Sequence, residues 1–162
     1  MKKAIFLDRD GVINHDPGDY TTSISEFTIL PDVIPTLVRW SEEGFLIVVI
    51  TNQGGIAKER YTFEEFYEMD DYMKSRFLEA GIAYVETYFC PHHDAISHCL
   101  CRKPHSGMIE KAVAKHGIDP HQSVMIGDKW RDLEAAEGAG VKGIKIDVNQ
   151  SLKSIDLTKF SN

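Results

Sequence analysis

Short apolar runs that stop abruptly at polar clusters recur along the chain, and between them apolar residues fall at helical spacing. Ala4-Ile5-Phe6-Leu7 stops at Asp8-Arg9-Asp10-Gly11, Phe45 to Ile50 stops at Thr51-Asn52-Gln53-Gly54-Gly55, and Ser123 to Gly127 stops at Asp128. Unbroken apolar runs of this length suit strands covered on both faces, as in a parallel sheet. Tyr84 to Phe89 and Gly143 to Ile146 predict two further strands of lower apolar content. Val33, Ile34, Leu37, Val38 and Ser41 share one helical face, with Pro31 before it and Gly44 after it. Thr62 and Glu65 make a capping box for a helix running to about Ala80, with Phe63, Phe66, Tyr67, Met73, Phe77 and Leu78 expected on its inner face. Met108, Ile109, Ala112, Val113 and His116 predict a third helix, stopped by Gly117, and Asp132 to Gly138 a short fourth.

Strands that alternate with helices predict an α/β fold, a doubly wound, mostly parallel five-stranded sheet, because each crossover helix returns the chain in the same direction. The pattern contains no repeat and no linker, so residues 1–162 read as one domain. Asn14 to Ile29, with Pro17-Gly18-Asp19, reads as a mobile flap over the sheet's polar edge, and the tail from Asn149 is weakly patterned. Neither interval around Thr51 leaves room for a folded cap: Asp8 and Thr51 are 43 positions apart, Thr51 and Lys103 are 52 apart.

Composition narrows the classes of partner. The chain has 162 residues, 43% apolar, with a net charge of −7 and no Lys/Arg block, which argues against a nucleic-acid groove or an anionic membrane surface. No apolar run approaches the length of about 18 residues that a membrane span needs, and the start is too short for a signal-peptide core. The expectation is a soluble, cytoplasmic, monomeric protein. All three cysteines lie between positions 90 and 101, where a disulfide would staple almost nothing. Cys90, His92, Cys99 and Cys101 supply four donors for a closed tetrahedral zinc site of structural type, with His93 and His98 as spares. Without metal, the same segment is a flexible loop with three reduced thiols.

In open α/β sheets, ligands bind at the carboxyl ends of the strands, where Asp8, Asp10, Thr51, Asn52 and Asp128 all fall. Aspartates gathered there repel unless a cation intervenes, and an all-oxygen donor set suits Mg²⁺. Once neutralised, Asp8 could attack phosphorus, Asp10 could serve as acid and then base, and Thr51 and Lys103 could hold the phosphoryl oxygens.

Asp8-x-Asp10-Gly-Val, the strand ending in Thr51-Asn52-Gln53, Cys-Arg102-Lys103-Pro and Gly127-Asp128-Lys129-x-x-Asp132 resemble the four ordered motifs of haloacid-dehalogenase (HAD) superfamily phosphatases. Within it the chain is similar to the heptose-1,7-bisphosphate phosphatases and the histidinol-phosphate phosphatases, which share a zinc loop before the third motif. The resemblance implies Asp8 as nucleophile, Asp10 as acid/base, and Mg²⁺ held by Asp8, the Asp10 carbonyl and Asp128. It also implies Thr51 and Lys103 as phosphate contacts, and Asp132 behind the ion or Lys103. The substrate-binding set expected here is Thr51, Asn52, Arg102 and Lys103. The turn Asn52-Gln53-Gly54-Gly55 and the run Lys58-Glu59-Arg60 depart from the usual heptose-phosphatase pattern, so the phosphorylated sugar is ordered as heptose bisphosphate first and histidinol phosphate second. Arg102 and Lys58-Glu59-Arg60 could also meet a second phosphate or sugar hydroxyls. Two other classes remain at this stage: a receiver-like phospho-acceptor, which would need an aspartate where Cys90 ends the third strand, and a zinc-stabilised binding module without turnover.

Overall fold

The computed structural model describes residues 1–160, so the last two residues of the expected tail lie outside the described residues. Strand β1 (Lys3–Leu7) sits at the centre of a fully parallel sheet, flanked by β2 (Phe45–Asn52) and β4 (Val124–Gly127), with β3 (Val85–Cys90) and β5 (Lys142–Lys145) at the edges. The order β3-β2-β1-β4-β5 reverses direction at β1, which makes the carboxyl ends of β1 and β4 the switch point of the winding. Register brings Leu7 opposite both Val49 and Ile126, so Asp8, Thr51 and Asp128 leave neighbouring strands at nearly the same level.

Alternation along the central strands assigns the two faces. Ile5, Leu7, Ile47, Val49, Val124 and Ile126 pack beneath α1 (Val33–Glu42) and α2 (Phe63–Glu79). Ala4, Phe6, Val48, Ile50 and Met125 pack beneath α3 (Gly107–His116) and α4 (Trp130–Gly138). Both faces of β1 are therefore dry, which explains why the run is apolar without alternation. The predicted capping box is present at the start of α2, with Thr62 and Glu65 each bonded to the other's backbone N–H.

Four expectations change. On α2 the buried side chains are Phe66, Met69, Asp70, Met73 and Phe77, whereas Phe63, Tyr67 and Leu78 are exposed by 44%, 50% and 65%. The helix overhangs edge strand β3, so Phe63 and Tyr67 lean sideways onto the Phe89 ring, with centroids 6.3 and 5.8 Å away, and not onto the sheet. The segment read as a flap is tied down at its base: Asn14 bridges Ile29, His15 N–H donates to the Thr28 carbonyl at 2.8 Å, and Phe27 is buried. The weakly patterned tail forms 3-10 turns at Leu152–Ser154 and Leu157–Phe160, and Leu152, Ile155 and Leu157 are buried in the same cluster as α1. Strand limits differ by a residue: β3 and β5 each begin and end one position away from the pattern, because edge strands are only half covered and carry a weak apolar signal.

Candidate active site

Asp8 follows β1 directly and is almost buried, with 7% exposure. Its backbone N–H bonds the Ile126 carbonyl at 3.0 Å, which joins Asp8 to β4. Asp8 Oδ1 accepts from the Arg9 backbone N–H at 2.8 Å and from Lys103 Nζ at 2.9 Å; Oδ2 receives no hydrogen bond from the described residues. Lys103 is itself buried and also reaches Asp132 Oδ1 at 2.7 Å and the Ile50 carbonyl at 2.7 Å. One ammonium thus meets two carboxylates. Burial pushes the Asp8 carboxyl up to about 7, Lys103 pulls it back, and the negative Asp132 and Asp10 add to the rise. For Lys103 burial works to lower the pKa, and Asp8 and Asp132 more than reverse it, so the amine stays charged.

Asp128 closes this group from β4. Its Oδ2 pairs with Lys129 Nζ at 3.0 Å, while its buried Oδ1 has no hydrogen-bond partner among the described residues. Gly11, at φ +83°, lets the loop after β1 pass against this carboxylate, since a Cβ there would lie 3.0 Å from Asp128 Oδ2. Asp8, Asp128 and Asp132 each bring one oxygen within 4.8 Å of the others. A buried, unpartnered carboxylate oxygen beside two more acids is costly as it stands, and the all-oxygen set fits a hard divalent cation.

Asp10 is held in a different environment. Its Oδ1 accepts from Arg9 Nη2 and Asn14 Nδ2, both at 3.0 Å, and its Oδ2 from Arg9 Nε at 3.2 Å and Gln53 Nε2 at 3.0 Å. Burial would raise this carboxyl, but the Arg9 charge and these donors hold it below the usual carboxylate range. Arg9 is buried at 1% exposure and lies over the Phe27 and Phe66 rings, 5.4 and 5.8 Å from their centroids. Two carboxylates two residues apart are therefore driven in opposite directions, Asp8 up by burial and Asp10 down by the Arg9 charge and its donors.

The remaining expected contacts divide into two groups. Thr51 is buried at the end of β2, and its Oγ1 accepts from Gln53 Nε2 at 2.8 Å. Asn52 spends its amide on the Lys103 backbone, donating to the carbonyl at 3.0 Å and accepting from the N–H at 2.9 Å, and so clamps the turn that carries the lysine. Arg102 turns toward the loop before it, bonding the His92 carbonyl at 3.0 Å and pairing with Asp94 at 3.3 Å. A cavity of about 450 Å³ opens over Asp10, Gln53 and Asn52, walled by Tyr20, Tyr61 and Arg131.

Behind the site, Cys90, His92, Cys99 and Cys101 place one ligand atom each within 4.8 Å of the others. Cys90 Sγ lies 3.4 Å from His92 Nδ1, 3.6 Å from Cys99 Sγ and 3.0 Å from Cys101 Sγ, and none of the three cysteines is bridged. Three thiols and an imidazole converging on one point, with no carboxylate among them, match the donor chemistry of tetrahedral zinc. Of the two spare histidines, His93 accepts from the Ala95 N–H at 3.1 Å and His98 is exposed.

Comparison with known proteins gives this geometry a lineage. Residues 100–153 match the family model described as HAD-hyrolase-like. The D-glycero-β-D-manno-heptose-1,7-bisphosphate 7-phosphatase of Haemophilus influenzae is 41% identical, over 88% of this chain and 79% of that protein. The chain belongs to the HAD-like phosphatases. A Photorhabdus laumondii member of this family, named for the α anomer of the same bisphosphate, is 38% identical over 86% of this chain and 79% of its own length. The crystal structure of the D,D-heptose 1,7-bisphosphate phosphatase of B. bronchiseptica, complexed with magnesium and phosphate, superposes with a TM-score of 0.85 and 30% identity, covering 94% of this chain and 84% of that one.

Strand β3 ends in Cys90, so the receiver-like alternative has no aspartate where it needs one. Sequence reasoning missed the residues that surround Asp10: Arg9, Asn14, Gln53 and Tyr61. A charged residue in the polar cluster that ends an apolar run, as Arg9 is, reads as solvent-facing, and Gln53 lies 43 positions from the carboxylate it touches. The one available signal was the density of polar side chains in the turn after β2.

Proposed function

We propose that this protein is a magnesium-dependent phosphomonoesterase acting on D-glycero-D-manno-heptose 1,7-bisphosphate at its 7-phosphate, through an aspartyl-phosphate intermediate. The observation that carries the reading is Asp8 Oδ2, free of hydrogen bonds, with Lys103 on its other oxygen and the carboxylates of Asp128 and Asp132 alongside. The names of relatives at 38–41% identity support the sugar.

In this reading Asp8, the Asp10 carbonyl and Asp128 hold Mg²⁺, which would neutralise the clustered acids and draw charge from the phosphoryl oxygens. Asp8 Oδ2 forms a bond to phosphorus as the bond to the sugar oxygen breaks, and Asp10, which has to take up a proton from solvent against the pull of Arg9 before it can act as acid, delivers that proton to the departing oxygen. Asp10, now a carboxylate, takes a proton from the water that attacks the phosphoaspartate, releasing inorganic phosphate and restoring Asp8. Lys103 and Thr51 stabilise the equatorial oxygens in both steps. Zinc on Cys90, His92, Cys99 and Cys101 would shape the loop that delivers Arg102 and Lys103. The same reading makes the protein a cytoplasmic monomer whose partner is a small phosphorylated sugar; no described helix is long and apolar enough to cross a membrane.

Steady-state kinetics test this with both anomers of the heptose bisphosphate, histidinol phosphate and fructose 1,6-bisphosphate, with and without Mg²⁺. The highest kcat/KM is expected for a heptose bisphosphate, with activity lost on Asp8→Asn. A preference for histidinol phosphate overturns the substrate, and turnover by Asp8→Asn overturns the mechanism.

A further inference from the structure

Gln53 stands two residues beyond Thr51 and is 2% exposed, with its backbone N–H fixed to the Cys90 carbonyl at 2.7 Å. Every polar atom of its side chain is engaged. Nε2 donates to Thr51 Oγ1 at 2.8 Å and to Asp10 Oδ2 at 3.0 Å, and Oε1 accepts from the Tyr61 hydroxyl. The amide has one orientation available, because an ionised Asp10 only accepts, and turning the amide over would set Oε1 against that carboxylate.

Tyr61 is 4% exposed and its ring packs edge-on to Tyr20, with centroids 6.2 Å apart. It crosses directly over Gly55, where a Cβ would fall 2.2 Å from Tyr61 Cε1. The glycine in the turn after β2 is thus what admits the tyrosine. Two results follow for the groups that Gln53 touches. Thr51 has one hydroxyl proton, and since its oxygen already receives the Gln53 N–H, that proton is left to donate elsewhere. Asp10 receives donors from its own loop through Arg9 and Asn14, but among the described residues only Gln53 ties it to β2, the strand that carries Thr51.

We propose that Gln53 and Tyr61 are positioning residues that couple the two ends of the transferring phosphoryl group. Gln53 sets the Thr51 hydroxyl for a non-bridging oxygen and the Asp10 carboxyl for the bridging oxygen that leaves, and Tyr61 holds the Gln53 amide. The inference rests on the phosphatase reading above.

The test compares kcat/KM for the heptose bisphosphate with that for p-nitrophenyl phosphate in the wild type, Tyr61→Phe and Gln53→Leu. This parameter covers the steps through ester cleavage. A sugar alkoxide leaves poorly without a proton, whereas p-nitrophenolate leaves without help, so a misplaced Asp10 penalises only the first substrate. Tyr61→Phe is expected to lose about tenfold on the sugar and stay within about twofold on the aryl ester; Gln53→Leu is expected to lose about 100-fold and about tenfold, since Thr51 is released as well. The ratio of the two values in one preparation is independent of the folded fraction, so partial misfolding does not mimic the effect. Equal losses on both substrates, or no loss in either variant, overturn the positioning role. Absence of turnover by the wild type on both substrates instead overturns the phosphatase reading.

Discussion

Replacing Lys103 by methionine removes the charge at the centre of the site while keeping most of the volume. The ammonium is 2% exposed and lies 2.9 Å from Asp8 Oδ1 and 2.7 Å from Asp132 Oδ1, so its loss leaves two buried carboxylates without a counter-charge. Breaking a buried pair in this way costs about 3–5 kcal/mol, a third or more of the stability of a typical domain. For a chain of this size that corresponds to a Tm lower by about 6–20 °C. Differential scanning calorimetry in magnesium-free buffer measures it. The sign with pH follows from Asp8, whose folded pKa of about 7 lies above its ordinary value of 3.8. The native protein binds that proton more tightly than the unfolded chain, so this group's contribution is fully present below 3.8 and lost as pH rises through about 7. Lys103 offsets that loss above pH 7, and its removal hurts most there. The deficit of Lys103→Met is therefore largest at pH 8 and narrows toward pH 5, where Asp8 is protonated and the Asp132 pair alone is missed. Adding Mg²⁺ restores part of the loss at pH 8. A deficit under about 1 kcal/mol, or one unchanged between pH 8 and pH 5, would refute the reasoning, since a buried ion triad cannot behave that way.

Other perturbations probe regions away from the mouth. Burial would raise Glu86, but hydrogen bonds from Lys115, Tyr84, His116 and Tyr88 outweigh it and bring the carboxyl down to about 2. Its stabilisation is present above the ordinary value of 4.5 and lost as pH falls toward 2, so Glu86→Gln should be weaker than wild type by about 1–3 kcal/mol at pH 6 and converge with it near pH 2.5 in urea titrations. Leu152→Ala, at a fully buried tail position, should cost about 2–5 kcal/mol in the same assay; a change below about 0.5 would mean the tail is not part of the core. Cys99→Ser should bind less than one zinc per chain by plasma emission spectrometry and lose kcat more than 10-fold, about the scale of a displaced support residue, through a relaxed Arg102-Lys103 segment. Full activity in the zinc-free variant would exclude a role for the metal in shaping the loop.

The central place of β1 and the parallel sheet could be expected from apolar runs because central strands are covered on both faces, and their composition records this locally. Helix orientation was less legible. Phe63 and Tyr67 look like core by spacing, yet they pack against Phe89 at the sheet's margin, since only the assembled sheet determines where its edge falls. The tail looked unpatterned because its buried residues, Leu152, Ile155 and Leu157, sit in 3-10 turns and short links, where neither helical nor strand periodicity applies. Asn52 was identifiable as a polar residue at a strand end, but its use as a clamp on the Lys103 backbone depends on a contact 51 positions away.

Residue type and local rhythm alone determine which strands exist, approximately where they end, and which of those ends carry carboxylates, a hydroxyl or thiols, because each of these depends on a handful of adjacent side chains. Tertiary structure alone decides which charges meet. Lys103 reaches Asp8 across 95 positions, and Gln53 finds Asp10 across 43, through strand register and loop path. Those are long-range consequences of packing, and no local window of the chain contains them.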